Sequence, residues 1–342
     1  MLGDTTGSDR GCKVEPAGRG LSRRIFLAAS GGAVASSVVG AARASDYPNH
    51  PVQLIVGWPA GGGADLVARF VAQELSSHLS QPFVVVNRGG AAGLIASSAV
   101  SRAKPDGHTL LFTTGAEALL PYITPDLKLD VLNDLTPITM VGYSPYIMAV
   151  NPRIPANTPI ELINWIKRNP GDFRWAAAGI ADPGYYATLQ FNKMAGISAP
   201  LINYTGGLAM ITGTMGDQVQ GLMLAVASLK PFVTSGQLRA LGVGTLEPTD
   251  LIADLRPIAS YGFPNFELVN WYGIWGPKDM PSQLVDQIHD EVEKIMRAPV
   301  LVEKLRTAGV SAKVSKNAAE FAQYFKSQVE FYGVMSRDVP KQ

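Results

Sequence analysis

The chain has 342 residues, and its 29 Lys and Arg nearly balance its 28 Asp and Glu, for a formal net charge of +1. Such a balance offers no basic face to nucleic acid or to an anionic membrane surface. The single cysteine, Cys12, excludes an internal disulfide and a cysteine-rich metal centre.

The stretch "LSRRIFLAASGGAVASSVVGAARA" carries Arg23 and Arg24, then a weakly apolar Gly/Ala/Ser/Val run, and closes on Ala42-Arg43-Ala44. Ser22 to Leu27 resembles a twin-arginine export signature, and the small-x-small ending predicts cleavage after Ala44 and a periplasmic destination. A membrane anchor is the competing reading, but so many Gly, Ala and Ser residues make a poor bilayer span. Residues 1–44 hold six basic and three acidic residues, which leaves 23 against 25 and a net charge of −2 in the mature chain. Cys12 goes with the signal, so no thiol remains as nucleophile or ligand. About 300 residues then suggest two domains or one large one.

After the signal, β-like and helical segments alternate. "VQLIVGW" reads as a buried strand, and Val67, Phe70, Val71, Leu75 and Leu79 share one face of the helix that follows from Asp65. "PFVVVN" is a second strand, "GLIASSAVSRA" a helix and "HTLLFTTG" a third strand after the Pro105-Asp106-Gly107 turn. Crossovers of this length predict a parallel, doubly wound sheet. Past Leu120 the rhythm loosens, and a second unit begins around "PYIMAV" with a helix from Pro159 to Arg168 capped by Thr158. "FRWAAAGI", "APLINY", "QVQGLML" and "LRALGVG" read as strands of that unit. A late strand, "FELVNWYGIWGP", leads to three C-terminal helices that fold back on the first unit. The expected division is residues 45–148 plus 271–342 for one lobe and 149–270 for the other, crossed by two chain passes near Ala149 and Asn270.

The loop "GWPAGGGAD" between the first strand and helix holds Gly57 and the run Gly61-Gly62-Gly63. It is not a P-loop, since no Gly-Lys dipeptide occurs in the chain. Nor is it a dinucleotide fingerprint: Leu66 stands where a small residue is needed, and the second strand ends in Asn87 rather than an acid. There is no Gly-x-Ser-x-Gly elbow and no His-Glu-x-x-His. His50, His78, His108 and His289 are scattered and read as surface or satisfied core residues, so neither a metal nor a catalytic triad is expected. What the loop does offer is backbone: glycine N–H groups, unpaired N–H groups at the helix start, and a helix dipole that favours a carboxylate. Asp65 falls in the first turn, where an acid caps such groups. A tight turn without a ligand is the plainer alternative.

Taken together, "YPNHPVQLIVGWPAGGGADLVAR", "QPFVVVNRGGAAGLIASSAVSRAKPDGHTLLF", "QLRALGVG" and "FELVNWYGIWGPKDMP" resemble the Bug family of periplasmic receptors of tripartite tricarboxylate transporters. The resemblance covers essentially the whole mature chain. It implies an α/β, two-lobed type II periplasmic binding protein fold with the ligand cleft between the lobes. It also implies a monomer that holds a small organic acid and hands it to a cognate membrane permease, with no cofactor and no catalysis. Carried over by position, Trp58, Pro59, Ala60, Gly61, Gly62, Gly63 and Asp65 of the first lobe face the ligand, with Thr113, Thr114 and Gly115 beside them. The second lobe supplies Ala178, Gly179 and Ile180, and the segment Tyr204-Thr205-Gly206.

The chain departs from that pattern in its second lobe. Ala177, Ala178, Gly179 and Ile180 stand where the family usually has serines and an Asn-Gly loop, and Leu224-Ala225 stands for an Asp-Asn pair. Apolar and aromatic surface, including Tyr185 and Tyr186, favours an acid that is flat and partly apolar over a small, strongly hydrated one. Glu117 is a further oddity: it could meet a ligand amine or hydroxyl, but an exposed acid is the expectation, since Glu is almost never buried unpaired. A sensory receptor of the same fold and an exported enzyme are the alternative functions.

Overall fold

The structure, a computed structural model, describes residues 47–124 and 126–338. The export signal and the cleavage position after Ala44 lie outside the described residues.

The chain opens as β1 (Val52–Val56), α1 (Gly63–Leu79), β2 (Phe83–Asn87), α2 (Leu94–Ser101) and β3 (Thr109–Thr114). β1 pairs in parallel with both β2 and β3. A 3-10 turn (Gly115–Leu119) and the short α3 (Leu120–Ile123) then lead to β4 (Leu135–Val150). Next come α4 (Pro159–Arg168), β5 (Trp175–Ala177), α5 (Pro183–Ala195), β6 (Leu201–Asn203) and α6 (Gly207–Met215). β7 (Gly221–Ala225), α7 (Val226–Thr234) and β8 (Arg239–Val243) follow, and β9 (Val269–Pro277) returns to the first lobe. α8 (Ser282–Met296), α9 (Pro299–Thr307), β10 (Ser311–Ala312) and α10 (Ala318–Met335) close the fold. The helix expected over Pro159–Arg168 is present with its cap: Thr158 accepts from the Glu161 N–H at 3.1 Å, and the Glu161 carboxylate accepts from the Asn157 N–H at 2.8 Å.

The strands run in the order β2-β1-β3-β9-β4-β7-β5-β6, with β8 and β10 also pairing β4. The sheet is therefore mixed, not the parallel one the crossovers predict. β4 carries the chain out of the first lobe and β9 carries it back, so the two must run antiparallel. Between Pro145 and Tyr146, β4 changes partners: up to Pro145 it pairs with β9, and from Tyr146 with β7. One strand thus belongs to both lobes.

Side-chain alternation distributes the core. Val52, Leu54 and Val56 of β1 point to one face with Leu110, Phe112 and Ile274, beneath α1 and α8. Ile55, Leu111, Trp271 and Trp275 point to the other, against Phe321 and Phe325 of α10. The second lobe repeats this, with Met148, Trp175 and Met223 opposite Ile147, Ala176 and Leu222. Strands buried on both faces read as continuous apolar runs, which is why "VQLIV" and "TLLF" were recognisable.

Candidate functional site

In open α/β sheets a ligand belongs at the C-terminal ends of the parallel strands, where helices begin. Here those ends are the loops after β1 and β3 in one lobe and after β5, β6 and β7 in the other. The lobes touch at this level. A Cβ added to Gly63, the first residue of α1, would lie 3.3 Å from Ser228 Oγ and 3.6 Å from Ala227 Cβ, both in the first turn of α7. Two surface hollows lie elsewhere, one beside Pro152, Leu238 and Arg239, the other along α8. Strand polarity marks this site.

The glycine loop is built by close approach and by a carboxylate clamp. A Cβ on Gly57 would stand 3.1 Å from the Gly93 Cα, so glycine lets the end of β1 pass the start of α2. Gly61 has φ +83°, a left-handed turn that suits glycine. Asp65 is buried, and its Oδ2 accepts from the Gly61 N–H and from Arg69 Nε, each at 2.9 Å. Its Oδ1 accepts from Asn87 Nδ2 at 2.9 Å. Burial alone would raise the Asp65 pKa, but the bonds from Arg69, Gly61 and Asn87 outweigh it and hold it below the usual value. This corrects the expected role of Asp65: it caps Gly61, upstream of the helix, rather than the helix itself.

The N-cap of α1 is therefore Gly62, which offers no side-chain acceptor. Among the described residues nothing accepts from the N–H groups of Gly62, Gly63 or Ala64. α6 and α7 likewise begin at Gly206 and Ala225 without a side-chain cap. At α7 the Ala227 N–H is instead taken by Ser144 Oγ at 3.0 Å, so the uncapped starts of α1 and α6 are the ones that leave backbone donors and their dipoles unused.

At the end of β3, Thr113 and Thr114 are buried and Gly115 opens the 3-10 turn. Glu117 in that turn is wholly buried, which overturns the expectation of an exposed acid. Its Oε2 accepts from Ser97 Oγ at 2.8 Å and Thr113 Oγ1 at 3.1 Å, while Oε1 is buried with no partner. Burial pushes its pKa up to about 7 against those two hydroxyl bonds. No local pattern signals this burial, because the partners are 20 and 4 residues away and reach it only through the fold. Trp271 Nε1 is a buried donor, likewise without a partner, beside this turn, 3.4 Å from where a Gly115 Cβ would lie.

In the second lobe, Ala178, Gly179 and Ile180 are half-buried after β5. They lead to Asp182, which the sequence reading missed although Asp-Pro before a helix is a start signal. Asp182 Oδ1 accepts from Tyr146 Oη and from the Gly184 N–H, each at 3.1 Å, and the Ala178 N–H also serves this carboxylate. Burial raises this carboxyl to about 6 despite those donors. Tyr204 is placed differently from the other expected residues. Its ring lies against Gly213 and its hydroxyl reaches Gln218 at 3.4 Å, so its side chain is engaged within the second lobe. Tyr186 is buried against Tyr332 of α10, and joins the lobes rather than lining a wall. Two histidines that look scattered in sequence, His50 and His108, stack with ring centroids 3.6 Å apart, near the Pro105 turn.

Residues 67–338 match the model of the tripartite tricarboxylate transporter family receptor. The chain belongs to that family. BugT of Bordetella pertussis is 28% identical over 85% of this chain and 88% of its own length. A protein from the tcbD-tcbE intergenic region of Pseudomonas sp. strain P51 is also 28% identical, over 91% and 92%. The periplasmic binding protein BugD superposes with a TM-score of 0.77 at 26% identity, covering 85% of this chain and 98% of BugD. The chain is a periplasmic solute-binding receptor of the Bug type with the two-lobed fold. No helix among the described residues is long and apolar enough to cross a membrane.

Proposed function

We propose that this receptor captures a small organic carboxylate between its lobes and delivers it to a tripartite tricarboxylate membrane permease, without catalysis. One observation carries the ligand class: the N–H groups of Gly62, Gly63 and Ala64 stand unused at an uncapped helix start, in a loop held rigid by Asp65. Amides and a helix dipole hold an anion without a cationic side chain. The loops from Trp58 to Gly63 and from Thr113 to Gly115 form one side. Ala178 to Ile180 and the Tyr204–Gly206 backbone form the other. Lobes of 45–148 plus 271–342 and of 149–270 belong to the same reading, and the partner change in β4 at Pro145–Tyr146 supports a division close to these limits.

Native mass spectrometry of receptor purified from its own cells, followed by a thermal-shift screen of organic acids, tests this. A micromolar ligand corresponds to about −8 kcal/mol. At a hundredfold excess over its Kd it adds about 2.7 kcal/mol of stability. A screen in which only non-anionic solutes stabilise the protein would overturn the carboxylate reading.

A further inference from the structure

Resting on that reading, we propose that the unpartnered Oε1 of Glu117 receives an ammonium group of the bound acid, so that the preferred ligand is an amino-bearing carboxylate. Glu117 follows the C-terminal end of β3, two residues beyond Gly115, in a turn that packs against α5 of the second lobe. Its Oε2 is served by the Ser97 and Thr113 hydroxyls, and Oε1 by nothing. No cation among the described residues pairs with it. Two neutral hydroxyls do not balance a buried negative charge, and burying an acid without a counter-charge is costly.

Protonation alone does not supply Oε1 with a donor: a proton on Oε2 can be accepted by the Ser97 or Thr113 hydroxyl, and Oε1 is then a buried carbonyl oxygen still without one. An ammonium supplies both what Oε1 lacks, a donor, and what the carboxylate lacks, a positive charge. Asp182, at the start of α5 across the lobe boundary, differs: Tyr146, Gly184 and the Ala178 N–H all serve its carboxylate. The lobe contact is thus short of a donor at Glu117. The loop at Gly62–Ala64 is short of acceptors. A ligand with a carboxylate at one end and an ammonium at the other meets both shortages. A plain dicarboxylate would place a negative charge near Glu117 and be repelled.

The test uses matched trios: succinate, malate and aspartate; 3-phenylpropanoate, 3-phenyllactate and phenylalanine; 4-methylbenzoate, 4-(hydroxymethyl)benzoate and 4-(aminomethyl)benzoate. Each is titrated calorimetrically at pH 8 into wild type and into Glu117→Gln, with urea unfolding to confirm that the variant is folded. The amino member of a trio should bind wild type at least tenfold tighter than its parent, and the preference should fall at least tenfold in Glu117→Gln. Equal binding of parent and amino members, tighter binding of the hydroxy member, or a preference that survives in Glu117→Gln overturns the assignment and leaves the carboxylate reading standing. If no acid of the panel binds, the carboxylate reading falls and this assignment with it.

Discussion

Asn87 Nδ2 lies 2.9 Å from Asp65 Oδ1 and 3.0 Å from the Trp58 carbonyl oxygen. One amide at the end of β2 thus ties the first turn of α1 to the loop that precedes it. An acid at this position would serve a ribose in a dinucleotide fold. Here it would face the Asp65 carboxylate. Asn87→Asp should therefore cost about 1–3 kcal/mol, the price of a buried group losing its donor, and the double variant with Asp65→Asn should recover much of it. Urea unfolding at pH 7 measures both. Full wild-type stability in Asn87→Asp would show that the clamp is dispensable.

Much of this architecture was readable because local chemistry and fold agree. α4 has its Thr158 cap, Pro159 at its first position and a clear apolar stripe. β1 and β3 are apolar runs bounded by glycine turns. β4 was not readable as one strand, because Pro137, Gly142 and Pro145 interrupt it and bulges near Pro137–Thr139 and Met140–Gly142 absorb the irregularity. The glycine loop was legible as a strand-to-helix turn with a free helix start. Glu117 was not: its burial depends on Ser97 from α2 and Thr113 from β3, which no spacing rule connects to it.

The buried Glu117 predicts a pH dependence. Its carboxyl titrates near pH 7 in the folded chain against a reference of 4.5. Below pH 4.5 it is neutral in both states and the effect is absent. Between pH 4.5 and 7 the native state keeps a proton that the unfolded chain has lost, so stability falls as pH rises, and above pH 7 the loss is complete. The total is roughly 3 kcal/mol. Asp182 acts in the same sense over a lower window, from 3.8 to about 6. Glu117→Gln keeps a neutral group at all pH values, so its stability relative to wild type should rise from pH 5 to pH 8. Parallel pH profiles for the two proteins would contradict this.

Ser144, buried next to the partner change in β4, accepts from the Ala227 N–H at 3.0 Å and donates to the Gly309 carbonyl at 2.7 Å. It joins the start of α7 to the turn before β10. Ser144→Ala leaves two backbone groups without this partner, at an expected cost of about 1–3 kcal/mol. Hydrogen exchange should report faster opening at Ala227 in particular. An unchanged exchange rate there would mean that another acceptor replaces the hydroxyl.

Export is tested apart from the fold. If Arg23 and Arg24 are read as a twin-arginine signal, changing both to Lys should leave the precursor inside the cell, seen by fractionation and immunoblotting. Unchanged periplasmic accumulation would assign the chain to the general secretory route.

The glycine loop itself offers the sharpest test. Gly62 has φ −82° and ψ 170°, a conformation that any residue adopts, and an added Cβ would meet only the Pro59 carbonyl oxygen at 3.6 Å. Gly62→Val should therefore fold. The Gly61 N–H is taken by Asp65, so the proposed carboxylate site draws on the N–H groups of Gly62, Gly63 and Ala64. A branched side chain at their centre would stand between them and the bound anion. Hydrogen bonds to a charged group are worth about 1.5–3 kcal/mol each, so losing two weakens binding by about 3–6 kcal/mol, more than a hundredfold. Calorimetry with the acid found by mass spectrometry, alongside circular dichroism, measures this. A folded Gly62→Val protein that binds within threefold of wild type would reduce the loop to a structural turn.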